Sequence, residues 1–145
     1  LRRIALLRSE YPGERVFWFL LVKGVRTYRY MSTLAQTFYP HWNGNVKEPE
    51  LARLAAELAK DKFGLLYNPA RGVVECPSAF GYLNRTMATV TDAQRSKPDV
   101  AFFLHKNPHY VCGHELVCLC EVSPDNVAKR YQSLFEEPDV EFCYG

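Results

Sequence analysis

The most uniform hydrophobic stretch of the chain lies within residues 15–23, RVFWFLLVK, where seven apolar side chains follow one another without interruption. A continuous run of this length is typical of a strand that is covered on both faces. We therefore expect a central strand at 15–23. Because side chains alternate along a strand, Phe17, Phe19 and Leu21 should share one face and the intervening residues the other.

After Gly24 the apolar spacing changes to three and four residues, which predicts an amphipathic helix from Val25 that ends before Pro40. A second helix should begin at 48–50, where acid and proline suit a first turn, and end near Gly64. Weaker patterns predict helices over 1–10, 98–105 and 127–135, strands over 73–76, 114–122 and 140–144, and mostly loop over 77–98.

These elements predict an α+β fold with a small mixed sheet and packed helices, in a single domain spanning residues 1–145. The length of 145 residues and the 48% hydrophobic content suit one domain with its own core. No apolar stretch reaches the roughly 18 residues that a membrane-spanning helix needs, so we expect no membrane partner.

The chain has five cysteines, an odd number that does not suit a closed set of disulfides. Cys118 and Cys120 fall within a predicted buried strand, where a free thiol behaves as a small hydrophobic group. This usage favours a reducing compartment, and we expect the protein to be cytoplasmic.

The net charge is only +2, but residues 1–30 carry seven basic side chains and two acidic ones, which leaves +5 there and −3 elsewhere. A local positive field of this kind favours a small anionic partner. Nucleic-acid binding usually requires a strongly basic domain, so we expect no nucleic-acid partner.

The junction between the first strand and the next helix carries part of this charge. A helix N-terminus offers unpaired backbone N–H groups that suit a phosphate or carboxylate. Gly24 allows a tight exit from the strand, and Lys23, Arg26 and Arg29 add positive charge. These four residues are the predicted binding site for an anionic cofactor or cosubstrate. The alternative is an ordinary strand–turn–helix connection with solvated basic side chains.

Six potential metal ligands lie within sixteen residues, at His105, His109, Cys112, His114, Cys118 and Cys120. Zinc prefers four nitrogen and sulfur ligands arranged as a tetrahedron. Residues 114, 118 and 120 share one face of a predicted strand, but they span about 20 Å at ~3.3 Å per residue. We therefore expect no metal site with three or more of these residues, and we expect the strand cysteines to fill the core.

The order of elements over residues 1–42, a helix, the strand 15–23 and a helix rich in aromatic residues that ends at Phe38-Tyr39-Pro40, resembles the latter half of GNAT-type acyltransferases. On this resemblance the chain corresponds to the C-terminal part of a longer acyltransferase-like protein. Acyl-CoA would be its cosubstrate, and a tyrosine of the second helix would be the general acid. Tyr28 and Tyr30 are then the catalytic candidates, with Tyr39 a weaker one.

Three interpretations remain open from the sequence. The first is an acyltransferase-like domain, an acyl-CoA-dependent N-acyltransferase if it is an enzyme, that binds acyl-CoA or a similar anion near Lys23–Arg29. The second is a non-catalytic α+β binding module whose many aromatic residues form core and interface. The third is a small zinc-binding domain.

Overall fold

The computed structural model describes residues 2–44, 49–75 and 89–135. The helices are α1 (Arg2–Glu10), α2 (Val25–Leu34), α3 (Pro49–Phe63), α4 (Asp92–Arg95) and α5 (Pro98–Lys106). The strands are β1 (Phe17–Val22), β2 (Tyr67–Asn68), β3 (Val73–Val74) and β4 (Glu115–Glu121). Short 3₁₀ helices cover Gly64–Leu66, Tyr110–Cys112 and Lys129–Phe135. This mixture of helices and a small sheet confirms the α+β class.

The described strands form one antiparallel sheet in the order β1-β4-β3-β2. β1 pairs with β4 along its whole length, from Phe17 opposite Glu121 to Val22 opposite Leu116. Among these strands β4 is therefore inner and β1 outer, and no parallel pair occurs. The expected central position of 15–23 and the expected mixed sheet are both corrected. A continuous apolar run indicates that both faces of a strand are buried. It does not indicate whether the strand is central or outer, because that depends on whether both of its hydrogen-bonding edges are paired with other strands.

Both faces of the sheet are covered by helices, as the apolar run predicted. Trp18, Leu20 and Val22 lie against a core that includes buried residues of α2 and α5. The alternate residues of β1, the odd-numbered ones, lie against a second core that includes buried residues of α3. The sheet is thus the middle layer of three, and each layer buries the apolar stripe of its neighbour.

The predicted helix after Gly24 ends sooner than expected, at Leu34 rather than just before Pro40. Ala35 and Phe38 remain buried, which explains why the helical spacing continued through them. The chain instead runs extended here, and Ala35 forms a bridge with Val127. Hydrogen bonds to another segment therefore override the local helical pattern.

The other predictions have mixed outcomes. The helices over 1–10, 48–64 and 98–105 and the strands over 73–76 and 114–122 are confirmed in type within a few residues. The helix over 127–135 is a 3₁₀ helix over Lys129–Phe135. The loop over 77–98 contains α4 and the start of α5, whereas residues 76–88 and the strand expected over 140–144 lie outside the described residues.

Candidate functional site

The start of α2 retains the features expected of an anion site. Gly24 is the N-cap residue in extended conformation and has no side chain that could cap the helix by a hydrogen bond, and the first turn of α2 contains no acidic residue. Arg26, in that turn, is exposed to solvent. Free backbone N–H groups and the positive end of the helix dipole therefore lie beside an accessible guanidinium.

Lys23 is directed away from this helix start. Its ammonium forms an ion pair with Glu115, with an Nζ to Oε1 distance of 3.2 Å. Glu115 precedes Val117 and Leu119, which belong to the core on the α3 side of the sheet, whereas α2 packs on the opposite side. Lys23 therefore does not join Arg26 in one site.

Arg29 is also paired. Its Nε donates a 3.2 Å hydrogen bond to Oδ2 of Asp99, in the first turn of α5. The Arg29 side chain is 36% exposed and the Asp99 side chain 15%, so the carboxylate is the more enclosed partner. This ion pair joins α2 to α5, and Arg29 would have to exchange Asp99 for any anionic ligand.

The two catalytic candidates lie in opposite environments. Tyr28 is completely buried, and its hydroxyl donates a 2.7 Å hydrogen bond to the carbonyl oxygen of Pro40. Burial raises the pKa of Tyr28 far above its ordinary value of 10. Its ring stacks on Phe102 and meets Phe38 edge to face, so it belongs to an aromatic core. A substrate cannot reach this hydroxyl without opening that core.

Tyr30, by contrast, is 40% exposed. Its pKa is raised, first by partial burial and then by a hydrogen bond with Tyr131, while the nearby Arg130 acts in the opposite direction. Tyr30 lies one helical turn beyond Arg26, so the two side chains share a face of α2. Tyr39, the weaker candidate, is half-buried, and burial also raises its pKa.

The structure thus divides the predicted site residues into two groups. Gly24, Arg26 and Tyr30 lie on an accessible part of α2. Lys23 and Arg29 are held by Glu115 and Asp99, and Tyr28 lies in the core.

The segment rich in histidine and cysteine spreads over several elements. Cys118 and Cys120 are at most 1% exposed, in β4, and burial raises the pKa of both thiols, that of Cys120 to about 12. His109 and His114 stand 5.8 Å apart between ring centroids. Across residues 2–44, 49–75 and 89–135, no three His, Cys, Asp or Glu side chains are grouped so as to hold a metal ion.

A polar cleft of about 480 Å³ is the feature that sequence reasoning missed. It lies beyond the C-terminal end of α2, away from the start of that helix. Its lining comes from five separate parts of the chain: Arg8, Arg15, Gln36 with Thr37, Leu51, and four residues within 121–126. Short sequence motifs cannot predict such a site, because its residues are distant in sequence and come together only in the folded protein.

Asn126 fixes the wall of this cleft. Its amide nitrogen donates to the carbonyl oxygens of Thr37, at 2.9 Å, and Glu121, at 2.8 Å. Its amide oxygen accepts a 2.9 Å hydrogen bond from the Thr37 N–H. One half-buried side chain therefore joins the segment after α2 to the turn after β4.

Arg15, which lines the cleft, links the end of β4 to the first turn of α3. Its guanidinium makes two hydrogen bonds to the Glu121 carboxylate, at 3.1 and 3.0 Å, and one to Glu50, at 3.0 Å. This two-point geometry is the strongest that an arginine and a carboxylate form. Arg15 and Glu121 therefore neutralise each other and leave little charge for a ligand.

Comparison with known proteins gives no further assignment: no family model, no curated protein and no solved structure matches the chain. Within the described part of the chain, no helix has both the length and the apolar character needed to cross a bilayer.

Proposed function

We propose that the protein is an acyltransferase-like domain that binds acyl-CoA, or an anion of similar chemistry, at the start of α2. The observation that carries the proposal is the N-terminus of α2, where the N-cap residue is a glycine, the first turn has no acid and Arg26 is exposed. Backbone N–H groups at such a helix start bind phosphate, and an accessible guanidinium adds a charge-assisted contact.

Tyr30 is the proton donor in this proposal, in place of Tyr28. It stands about 6 Å along the helix axis from Arg26, at 1.5 Å per residue. In acyl transfer an amine attacks the thioester carbonyl carbon, the carbon–sulfur bond breaks, and the departing thiolate takes the Tyr30 hydroxyl proton. The amine nitrogen loses its own proton to water, and the Tyr30 phenolate recovers a proton from water, which restores the acid. Tyr30 carries that proton at neutral pH, because the ordinary pKa of a tyrosine is 10 and partial burial raises that of Tyr30 further.

Binding is tested by calorimetric titration of acetyl-CoA and CoA into the wild type, Arg26→Ala and Arg53→Ala. Arg53 is exposed on α3, in the opposite helical layer, so its removal changes net charge equally without touching the site. We expect Arg26→Ala to weaken binding by about tenfold, the effect of one charged hydrogen bond, and Arg53→Ala to leave it unchanged. Equal loss in both variants, or no binding by the wild type, would sink the proposal.

A non-catalytic binding module is the second candidate, favoured by the enclosure of Tyr28 within the aromatic core. Tyr30→Phe distinguishes the two functions once acetyl-CoA binding is established. Under acyl transfer the variant binds acetyl-CoA normally but loses most acetylation of an amine substrate. Under simple binding, neither protein transfers an acetyl group above the uncatalysed rate.

A further inference from the structure

The polar cleft beyond the C-terminal end of α2 has the dimensions of a ligand site. Its volume of about 480 Å³ lies within the roughly 300–1,000 Å³ of small-molecule sites. Helix α2 has ten residues, so its two ends are about 15 Å apart. The cleft is therefore separate from the anion site at Gly24 and Arg26, and one small ligand cannot occupy both.

The charges that line the cleft determine what it would accept. Arg15 and Glu121 neutralise each other through their paired hydrogen bonds. Arg8 and Asp125 also line the cleft, and within the described residues neither takes part in an ion pair. One positive and one negative group thus remain for a ligand. A dianion would meet Asp125 and a dication would meet Arg8, so each is disfavoured.

The rest of the lining consists of Leu51 and neutral polar residues. The Gln36 side chain is exposed, and the Ser123 hydroxyl lies on the turn that Asn126 holds in place. Arg8 comes from α1, whereas Asp125 lies in the turn after β4. A ligand that bridges them would therefore join two parts of the chain that are distant in sequence.

We propose that this cleft binds a small zwitterion of the α-amino acid class, with the ligand carboxylate at Arg8 and its ammonium near Asp125. Guanidinium–carboxylate and ammonium–carboxylate contacts are the charge-assisted pairs that recognise such a molecule. Gln36 and Ser123 then offer hydrogen bonds to a polar side chain of the ligand.

The test is titration of the full chain with the free proteinogenic amino acids, followed by N-acetyl and carboxamide derivatives of the best ligand. We expect each derivative to bind about tenfold more weakly or worse, because each loses one charge-assisted contact. Arg8→Gln should abolish the preference for a free carboxylate, and Asp125→Asn the preference for a free ammonium. Arg3→Gln, which removes an exposed arginine of the same helix that is not among the cleft residues, should bind as the wild type does.

Three outcomes would overturn the inference: no binding of any amino acid at millimolar concentration, equal binding of the blocked derivatives, or wild-type affinity in both cleft variants. Arg26→Ala serves as the cross-control. It should weaken acyl-CoA binding at the start of α2 and leave amino-acid binding in the cleft unchanged. The two proposals therefore fail independently.

Discussion

The hydroxyl of Tyr28 donates a 2.7 Å hydrogen bond to the carbonyl oxygen of Pro40, twelve residues further along the chain. Both residues are buried, so neither group can turn to water instead. This bond ties the middle of α2 to the extended segment that follows the helix. This bond gives Tyr28 a structural role, and a hydroxyl that is buried in this way cannot act as a general acid on a bound substrate.

The Tyr28→Phe substitution should therefore lower the stability of the fold without changing ligand binding. The Pro40 oxygen would lose its donor in a buried place, which costs about 1–3 kcal/mol of unfolding free energy. Urea unfolding measures this change, with Tyr30→Phe as the matched control. Tyr30 is 40% exposed, so the loss of its hydrogen bond with Tyr131 should cost under about 1 kcal/mol. A Tyr28→Phe protein of wild-type stability that no longer transfers an acetyl group would return Tyr28 to the catalytic role.

The sequence contained the information needed to separate these two tyrosines. Tyr28 shares the three- and four-residue spacing of Val25 and Met31, and all three are buried. Tyr30 falls off that apolar stripe and is exposed. The helical period thus identified the core face correctly, while the family resemblance named both tyrosines without regard to it.

Lys23 illustrates what sequence proximity cannot decide. It stands three residues before Arg26, yet it pairs with Glu115 on the α3 side of the sheet while α2 packs on the other side. The alternation of side chains along the strand places Lys23 on the α3 side, whereas the packing of α2 places Arg26 on the other side. The outer position of β1 could not be predicted from the local sequence either, because it depends on pairing with residues about a hundred positions away.

The Asn126 side chain is expected to contribute more to the unfolding free energy than an exposed amide side chain such as that of Gln132. In Asn126→Asp the donor nitrogen becomes an oxygen that faces the carbonyl oxygens of Thr37 and Glu121. We expect a loss of about 2–4 kcal/mol, since two hydrogen bonds are replaced by contacts between acceptors.

Gln132→Glu is the matched control for this change. Gln132 is exposed, and its amide donates a 3.1 Å hydrogen bond to the Pro124 carbonyl oxygen. The same replacement of nitrogen by oxygen there should cost under about 1 kcal/mol, because water can solvate both groups. Similar losses in the two variants would show that Asn126 does not hold the cleft wall as described.

Thiol reactivity should divide the described cysteines sharply. Cys112 is exposed, whereas Cys118 and Cys120 are buried in β4 with raised pKa values. Only the thiolate reacts with alkylating reagents. In native protein treated with iodoacetamide at pH 8, peptide mapping should show rapid modification of Cys112. Cys118 and Cys120 should react only after denaturant is added, and labelling of Cys118 at the rate of Cys112 would contradict their placement in the core.

His41 makes the stability of the fold depend on pH. Its ring lies between Phe38, at 4.5 Å between centroids, and Trp42, at 5.5 Å. Its Nδ1 accepts a 2.9 Å hydrogen bond from the Asn43 N–H, an arrangement that requires this nitrogen to be unprotonated. Partial burial lowers the pKa of His41 below its ordinary value of 6.5. The neutral imidazole is therefore the form that the folded protein favours.

The sign of the effect follows from proton uptake. Below about pH 6.5 the unfolded chain binds a proton at His41 that the folded protein does not, so stability falls as the pH drops below that value and levels off below the folded pKa. Urea unfolding at pH 8, 6 and 5 should show this loss in the wild type and a smaller one in His41→Phe, which keeps an aromatic ring between its neighbours. His105→Gln, at an exposed position in the last turn of α5, should keep the wild-type dependence. An identical pH dependence in wild type and His41→Phe would refute the assignment, as would a gain in wild-type stability on acidification through pH 6.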